Sequence, residues 1–239
     1  MVNNPLIIAL DVDTMEEAGR LADVLKPHVG AFKVGMQLFN SAGPPVIHFL
    51  KEKNVPVFID LKLHDISNTV ANAARVLARH GARIINVHAA GGLDMMRAAA
   101  FSVQDEADKL GMERPLLVAV TVLTSIDQEA FNTQMGIPGT IADRVTAWAE
   151  MAKEAGLDGV VASPREIAPI RAACGEEFVI ITPGVRPAGT DLNDQARVMT
   201  PAEAIQQGAT YLVIGRPITG APDPAQAAKD VLGSIKRRV

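Results

Sequence analysis

A chain of 239 residues, 48% hydrophobic and 21% charged, is long enough for one large domain with a substantial core and too apolar to be disordered. Its 23 Lys and Arg against 27 Asp and Glu give a net charge of −4, which excludes a broad electrostatic attraction to nucleic acid or anionic membranes. We therefore expect a protein that binds neither, with any phosphate site confined to a local group of basic residues.

Cysteine use and the first apolar run favour a cytoplasmic protein. The single cysteine, Cys174, cannot form an internal disulfide, which agrees with a reducing compartment. The run from Leu6 to Leu10 stops at Asp11 and has no basic flank, so it matches neither a signal peptide nor a membrane span. The five histidines show no metal-ligand spacing, and we predict no metal ion.

Short apolar or β-branched runs alternate with stretches of helical composition along the chain. The pattern is strand then helix, repeated eight times. The predicted strands are Leu6 to Val12, Ala31 to Gly35, Val57 to Lys62, Ile84 to His88, Leu116 to Leu123, Gly159 to Ser163, Phe178 to Pro183 and Tyr211 to Arg216. The helical stretches include Met15 to Lys26, Pro45 to Lys53, Ser67 to His80, Ala142 to Ala155, Ala202 to Gln207 and Pro224 to Arg237.

No linker, composition shift or charge block divides the chain, so we predict a single domain over residues 1–239. About 240 residues of alternating strands and helices are typical of a closed (β/α)₈ barrel, the TIM barrel. A doubly wound open sheet is the alternative, but that fold usually has a glycine-rich turn after its first strand. Here the segment Asp11 to Thr14 follows that strand, and no glycine occurs before Gly19. The barrel is therefore favoured.

Charged residues at the ends of the first three predicted strands form the main candidate site. Because side chains alternate faces along a strand, Asp60 and Lys62 point the same way and the neighbouring leucines point toward the helices. Lys33 and Asp11 end the two preceding strands at the same rim, where barrel enzymes have their active sites. Neighbouring carboxylates keep both lysines protonated despite partial burial. A purely structural ion network is the alternative.

Asp65 follows the same strand and precedes a helical stretch. Its carboxylate either serves the charged site or caps that helix, and the local sequence does not decide between the two.

Two further loops predict a phosphate site. One follows the seventh predicted strand and contains Arg186, and the other follows the eighth and contains Gly215 and Arg216. In barrels, the loops after these two strands often bind a phosphate through backbone N–H groups, and an arginine adds bidentate hydrogen bonds. Two ordinary turns with solvated arginines are the alternative. The two loops together favour a phosphorylated ligand.

Several segments together resemble the bacterial type of orotidine 5′-monophosphate decarboxylases. The Asp-x-Lys-x-x-Asp core from Asp60 to Asp65 is shared with related sugar-phosphate decarboxylases and synthases, so alone it indicates the superfamily. Lys33 separates the two groups, because the magnesium-dependent relatives have a glutamate there. The matching segments are Leu10–Asp11, Phe32–Gly35, Asp60–Thr69, Val87–Ala89, Pro183–Arg186, Asp194–Gln195 and Gly215–Ile218.

This resemblance implies an enzyme without a cofactor that removes CO₂ from C6 of orotidine 5′-monophosphate to give UMP, the last step of pyrimidine nucleotide synthesis. Lys62 would donate the proton to C6, and Asp60 and Asp65 would keep it charged. Lys33 and Asp11 would bind the ribose hydroxyls and orient the charged cluster.

The same resemblance implies the rest of the substrate site. Thr124 would contact the pyrimidine. Asp65, Ile66 and Thr69 would reach into the site of a partner subunit, so the active unit would be a homodimer with shared sites. This assigns Asp65 to function rather than to a helix cap. The residues that would bind or cover the phosphate are Arg186, Gln195, Gly215 and Arg216.

Two other functions remain as alternatives. A magnesium-dependent keto-sugar-phosphate decarboxylase or aldol-type synthase would be inhibited by a chelator. A non-catalytic sensor of nucleotide phosphates would be expected to lack Lys62 or Asp60, and both are present.

Overall fold

The parallel strands of the chain close into a barrel. The computed structural model describes residues 4–186 and 199–236. Each strand pairs with the next in chain order, and the last pairs with the first, as in a (β/α)₈ barrel. The predicted fold class is confirmed. The strands are β1 (Leu6–Ala9), β2 (Ala31–Gly35), β3 (Val57–Leu63), β4 (Ile84–His88), β5 (Leu116–Val120), β6 (Gly159–Val161), β7 (Val179–Pro183) and β8 (Tyr211–Ile214).

Helices alternate with these strands along the chain. Each predicted helical stretch corresponds to a helix, with ends that differ by one residue. Five further helices in the series below were not among these predicted stretches: the 18-residue α5 and four helices of eight residues or fewer, α2, α6, α8 and α10. No helix in the described part of the chain is long and apolar enough to cross a membrane. The helices are α1 (Met15–Leu25), α2 (Met36–Ala42), α3 (Pro45–Glu52), α4 (Ser67–Arg79), α5 (Leu93–Leu110), α6 (Gln128–Thr133), α7 (Ile141–Glu154), α8 (Ile167–Cys174), α9 (Pro201–Gln206), α10 (Arg216–Thr219) and α11 (Pro224–Lys236).

Two apolar clusters form the core, one on each side of the strands. Along β1, Ile7 belongs to a small cluster inside the barrel, whereas Leu6 and Ile8 belong to a larger one between strands and helices. This alternation follows from the period of two along a strand. The interior is thus filled with apolar side chains, and polar side chains concentrate at its mouth. The inner cluster consists of Ile7, Ala9, Ala31, Phe58, Ile84, Val118, Ile181 and Val213.

Several strands end earlier than predicted, because the chain leaves the hydrogen-bonded ladder to form the loops at the barrel mouth. The strand β1 ends at Ala9, so Asp11 lies on the following loop rather than at the end of the strand. In the same way β5 ends at Val120 and β8 at Ile214. Asp11, Thr124 and Gly215 therefore lie on loops after these strands, and Arg216 begins the short helix α10.

Candidate active site

The carboxyl end of β3 is irregular, and this irregularity positions the central lysine. Ile59 pairs with Ile85 on β4, and Leu63 pairs with Val87. Three residues of β3 therefore lie opposite a single residue of β4. Within this bulge Lys62 has φ 54°, in the left-handed region that residues with side chains rarely adopt. Asp60 and Lys62 line the same cavity, as predicted. That prediction assumed that side chains alternate regularly between the two faces of β3, and this alternation is interrupted at the bulge.

Four charged side chains of alternating sign meet at this end of the barrel. The Nζ atom of Lys62 lies 2.7 Å from Oδ1 of Asp60. The Nζ atom of Lys33 lies 3.3 Å from Oδ2 of Asp60 and 3.4 Å from Oδ1 of Asp11. The structure therefore brings together the four residues that the sequence placed at one rim. We call Asp11, Lys33, Asp60 and Lys62 the charged tetrad.

Asp60 is the centre of the charged tetrad and is held ionised. Its side chain is 13% exposed, and burial by itself raises the pKa of its carboxyl group. The charges of Lys33 and Lys62, with hydrogen bonds from Lys62 and Asn86, outweigh this effect, and the pKa lies below its ordinary value. At neutral pH, Asp60 is thus a fixed anion between two ammonium groups.

Asn86 is a site residue that was not predicted from the sequence. It lies on β4, is fully buried, and donates a hydrogen bond from Nδ2 to Oδ1 of Asp60 at 2.7 Å. Its Oδ1 accepts a hydrogen bond from the backbone N–H of Lys62 at 2.8 Å. In the sequence, Asn86 could be noticed only as a polar residue at an inward-facing position of the predicted strand Ile84 to His88.

His88, at the end of β4, is a hydrogen-bonded barrel histidine, as predicted. Its Nδ1 accepts a hydrogen bond from the N–H of Ala90, and its ring stacks on His64 with centroids 5.4 Å apart. Burial lowers the pKa of His88, and the charges of His64 and Lys62 lower it further. Within residues 4–186 and 199–236, no three His, Cys, Asp or Glu side chains are grouped to hold a metal ion.

A cavity of about 250 Å³ opens beside the charged tetrad. Its polar lining includes Lys33, Asp60 and Lys62, and Thr124 is also a lining residue. Most of the other lining residues are apolar. Such a combination of apolar surface and few polar groups is typical of small-molecule sites. The remaining lining residues are Phe58, Val120, Val122, Leu123, Ser125, Val161, Ala162, Pro183 and Val213.

One glycine, Gly35, permits the close approach of a charged group at the mouth, and a second, Gly215, lies beside the charged tetrad. A Cβ atom at Gly35 would lie 2.9 Å from Nζ of Lys33, so a larger residue there would displace this lysine. A Cβ atom at Gly215 would lie 3.6 Å from Oδ2 of Asp11. Gly215, a predicted binding residue, therefore lies next to the charged tetrad, and Gly35 contributes although it was not proposed as a site residue.

The predicted phosphate residues are placed differently from one another. Arg186, after β7, is 8% exposed, and its Nε has no hydrogen-bond partner within the described ranges. The alternative of a solvated arginine is therefore wrong for Arg186. Arg216 is exposed and begins α10 directly after β8 and Gly215. Gln195 lies outside the described residues.

The residues predicted to serve a partner subunit lie on the surface. Asp65, Ile66 and Thr69 are exposed, with Ile66 at 72%. Asp65 accepts a hydrogen bond only from the N–H of Ile66 and forms no ion pair in the described part of the chain. The helix α4 has Ile66 at its N-cap position and no side-chain cap. The alternative that Asp65 caps this helix is therefore wrong.

A closed (β/α)₈ barrel with a charged cavity at the carboxyl ends of its strands belongs to the class of barrel enzymes, whose active sites lie at this face. Residues 4–231 match the model of the Orotidine 5′-phosphate decarboxylase / HUMPS family. The chain therefore belongs to this family.

Individual relatives agree with this membership. The chain is 56% identical over 231 residues to the orotidine 5′-phosphate decarboxylase of Moorella thermoacetica, covering 97% of this chain and 92% of that protein. It is 53% identical over 232 residues to the enzyme of the same name from Syntrophomonas wolfei, covering 97% of each. A crystal structure of orotidine 5′-phosphate decarboxylase from Lactobacillus acidophilus superposes with a TM-score of 0.86 at 38% identity, over 98% of this chain and 99% of that one.

Proposed function

We propose that this enzyme decarboxylates orotidine 5′-phosphate to UMP and CO₂ in pyrimidine biosynthesis, without a cofactor, as one barrel domain over residues 1–239. Membership of the family supports the reaction, and the names of the Moorella and Syntrophomonas relatives support the substrate. The observation that carries the proposal for the mechanism is the ammonium group of Lys62, held 2.7 Å from an ionised Asp60 inside a largely apolar cavity.

The reaction requires a fixed positive charge at C6. When the bond from C6 to the carboxylate breaks, the electron pair stays in the plane of the ring and is orthogonal to the π system. No ring carbonyl can accept it directly, so stabilisation has to come from a nearby cation that is already in place. The ammonium group of Lys62 is this cation. It then transfers a proton to C6, which completes UMP and leaves an amine that regains a proton from water.

Asp60 has two roles in this mechanism. Its charge orients the ammonium group of Lys62, and it also repels the carboxylate of the bound substrate, which raises the energy of the ground state. The low pKa of Asp60 supports both roles, since each requires the ionised form.

The sugar and base are bound around the charged tetrad. Lys33 and Asp11 bind the ribose hydroxyls, and Asp11, with 54% of its side chain exposed, reaches furthest toward the mouth. Thr124, a lining residue of the cavity, contacts the pyrimidine. The apolar lining residues of the cavity cover the ring and exclude water.

The phosphate is bound by the loops after β7 and β8. Arg186 supports this assignment, because its guanidinium is buried and its Nε has no hydrogen-bond partner among the described residues, which is unfavourable unless a ligand supplies one. Gly215 and Arg216 follow β8 beside Asp11, which supports a phosphate next to the ribose. Gln195 is assigned to the phosphate site only because the sequence resembles the bacterial orotidine 5′-monophosphate decarboxylases.

The active unit is a homodimer with shared sites. Asp65, Ile66 and Thr69 of one subunit contribute to the cavity of the other. The exposure of all three, and the lack of an ion pair for Asp65 within the described chain, support this arrangement.

The proposal is tested by incubating the enzyme with orotidine 5′-phosphate and excess EDTA while following the ultraviolet absorbance, with UMP measured by chromatography. We expect complete conversion and an equal amount of UMP. If EDTA abolished the activity and magnesium restored it, the result would instead favour a metal-dependent sugar-phosphate enzyme. The presence of Lys33 argues against such an enzyme. No conversion by folded protein would refute the proposed reaction.

A further inference from the structure

Among the described residues, Asn86 is the one buried side chain that hydrogen-bonds to both Lys62 and Asp60 from another strand. It is fully buried on β4, and the two contacts use both ends of its amide group. Nδ2 donates to Oδ1 of Asp60 at 2.7 Å, and Oδ1 accepts from the N–H of Lys62 at 2.8 Å. No other side chain in the described ranges hydrogen-bonds to the backbone of Lys62.

The position of Asn86 matches the irregularity of β3. Asn86 is the single β4 residue opposite the three residues from Asp60 to Lys62, where the regular pairing between Ile59 and Leu63 is interrupted. The backbone N–H of Lys62 therefore lacks a partner in the ladder, and a buried N–H without a partner is costly. The oxygen of Asn86 supplies that partner and holds Lys62 at φ 54°.

The direction of the amide is fixed by its two neighbours. The backbone N–H of Lys62 can only donate, and the ionised carboxylate of Asp60 can only accept. A side chain between them must accept at one end and donate at the other. Asparagine has this chemistry at this length, whereas aspartate could accept from Lys62 but would place a second negative charge against Asp60.

We propose that Asn86 is a positioning residue that fixes the distance between the ammonium group of Lys62 and the carboxylate of Asp60. It acts through these two residues and does not touch the substrate. The inference rests on the proposed function, in which Lys62 has to be in place before CO₂ leaves. A misplacement of about 1 Å in such a group can cost a factor of about 100 in rate.

The test compares Asn86→Ala and Asn86→Asp with a matched control, Thr121→Val. Thr121 is also fully buried at the end of a neighbouring strand, and its Oγ1 donates to the carbonyl oxygen of Val161 at 3.0 Å. Its two chain neighbours line the cavity and Thr121 does not. The control thus removes a buried hydrogen bond of similar length without touching the charged tetrad.

We expect kcat for orotidine 5′-phosphate to fall about 100-fold in Asn86→Ala, with KM changed less than about threefold. Asn86→Asp, which keeps the shape, should also lose at least tenfold. Thr121→Val should lower the melting temperature and leave kcat within about twofold. Values of kcat within threefold of wild type in both Asn86 variants would overturn the proposal. Full activity in Asn86→Asp alone would overturn the role of the contact with Asp60.

A second readout does not depend on activity. In protein labelled with ¹³C at the lysine ε-carbons, the signal of Lys62 can be assigned by its absence in Lys62→Ala. It should shift in Asn86→Ala and stay in place in Thr121→Val. An unshifted signal in Asn86→Ala would overturn the positioning role, whether or not the wild type is active. A wild type without activity on orotidine 5′-phosphate would separately refute the proposed function.

Discussion

The ammonium group of Lys62 lies 2.7 Å from the carboxylate of Asp60, only two residues earlier on the same strand. The left-handed backbone of Lys62 accompanies a bulge that brings both side chains to one cavity. The second oxygen of Asp60 is 3.3 Å from Lys33. One carboxylate thus orients two cations.

Asp60→Asn should destabilise the protein at neutral pH, because it removes the anion between Lys33 and Lys62. We expect a loss of about 2 kcal/mol in the free energy of unfolding. The pKa of Asp60 is lowered in the folded protein. Its ionisation therefore stabilises the fold at pH values above the unfolded-state pKa of about 3.9, and this contribution is lost as the pH falls through the folded-state pKa. Urea unfolding of both proteins from about pH 3 to 7 measures the difference.

The difference between wild type and Asp60→Asn should be constant from about pH 5 to 7 and shrink below about pH 4. A difference that stays the same down to pH 3 would show that the charge of Asp60 does not stabilise the fold.

Gly35→Ala should impair catalysis while leaving the fold intact. The backbone of Gly35 has φ −86°, which alanine adopts readily, but the added Cβ would lie 2.9 Å from Nζ of Lys33. Lys33 must then move away from Asp11 and Asp60, and we expect kcat/KM to fall at least about tenfold. Gly233→Ala in α11 is the control, since a Cβ there meets no atom within 4 Å. Equal activity of the two variants would contradict the role of Lys33.

Arg216→Ala should weaken binding of the phosphorylated substrate. The expected result is an increase of at least about tenfold in KM for orotidine 5′-phosphate, with a much smaller effect on the slow reaction of orotidine, which lacks the phosphate. Arg97→Ala, which removes a surface ion pair with Glu154, is the control and should leave both reactions unchanged. Equal losses on the two substrates would exclude a phosphate role for Arg216.

Mixing two inactive variants tests whether the sites are shared. If Asp65 serves the neighbouring subunit, a heterodimer of Lys62→Ala and Asp65→Ala has one intact site and one site with both substitutions. With random exchange, half of the dimers are mixed and half of their sites are intact, so activity should recover to about a quarter of wild type. Exchange is verified by mass-tagged chains. Mixed dimers as inactive as their parents would place Asp65 in its own subunit's site.

The barrel and the charged tetrad could be predicted because each follows from a local pattern. Strand and helix periods repeat eight times, and parallel strands bring their carboxyl ends to one rim. Charges near the carboxyl ends of β1, β2 and β3 therefore had to be neighbours. Asp11 shows the limit of this reasoning: it occupies the predicted rim although it lies on a loop after Ala9.

Features that depend on contacts between distant segments could not be predicted. The bulge at Lys62 exists through its pairing with β4, and nothing in the residues around Lys62 indicates a positive φ. From the sequence, Asn86 could be recognised only as an inward-facing polar residue. Its hydrogen bond with the backbone of Lys62 depends on the bulge. The burial of Arg186 is likewise set by the packing around it rather than by its own loop sequence.

Measurement of kcat for Lys62→Ala tests the central claim most directly, since the ammonium group is required only as the negative charge forms at C6. Asp60 keeps its ion pair with Lys33 in this variant, so the fold should survive, as circular dichroism and the melting temperature would show. Lys53→Ala, which loses a surface ion pair with Asp23, is the control. We predict a loss of at least about a thousandfold in kcat for Lys62→Ala and full activity for Lys53→Ala. A value within tenfold of wild type in folded Lys62→Ala would contradict the mechanism.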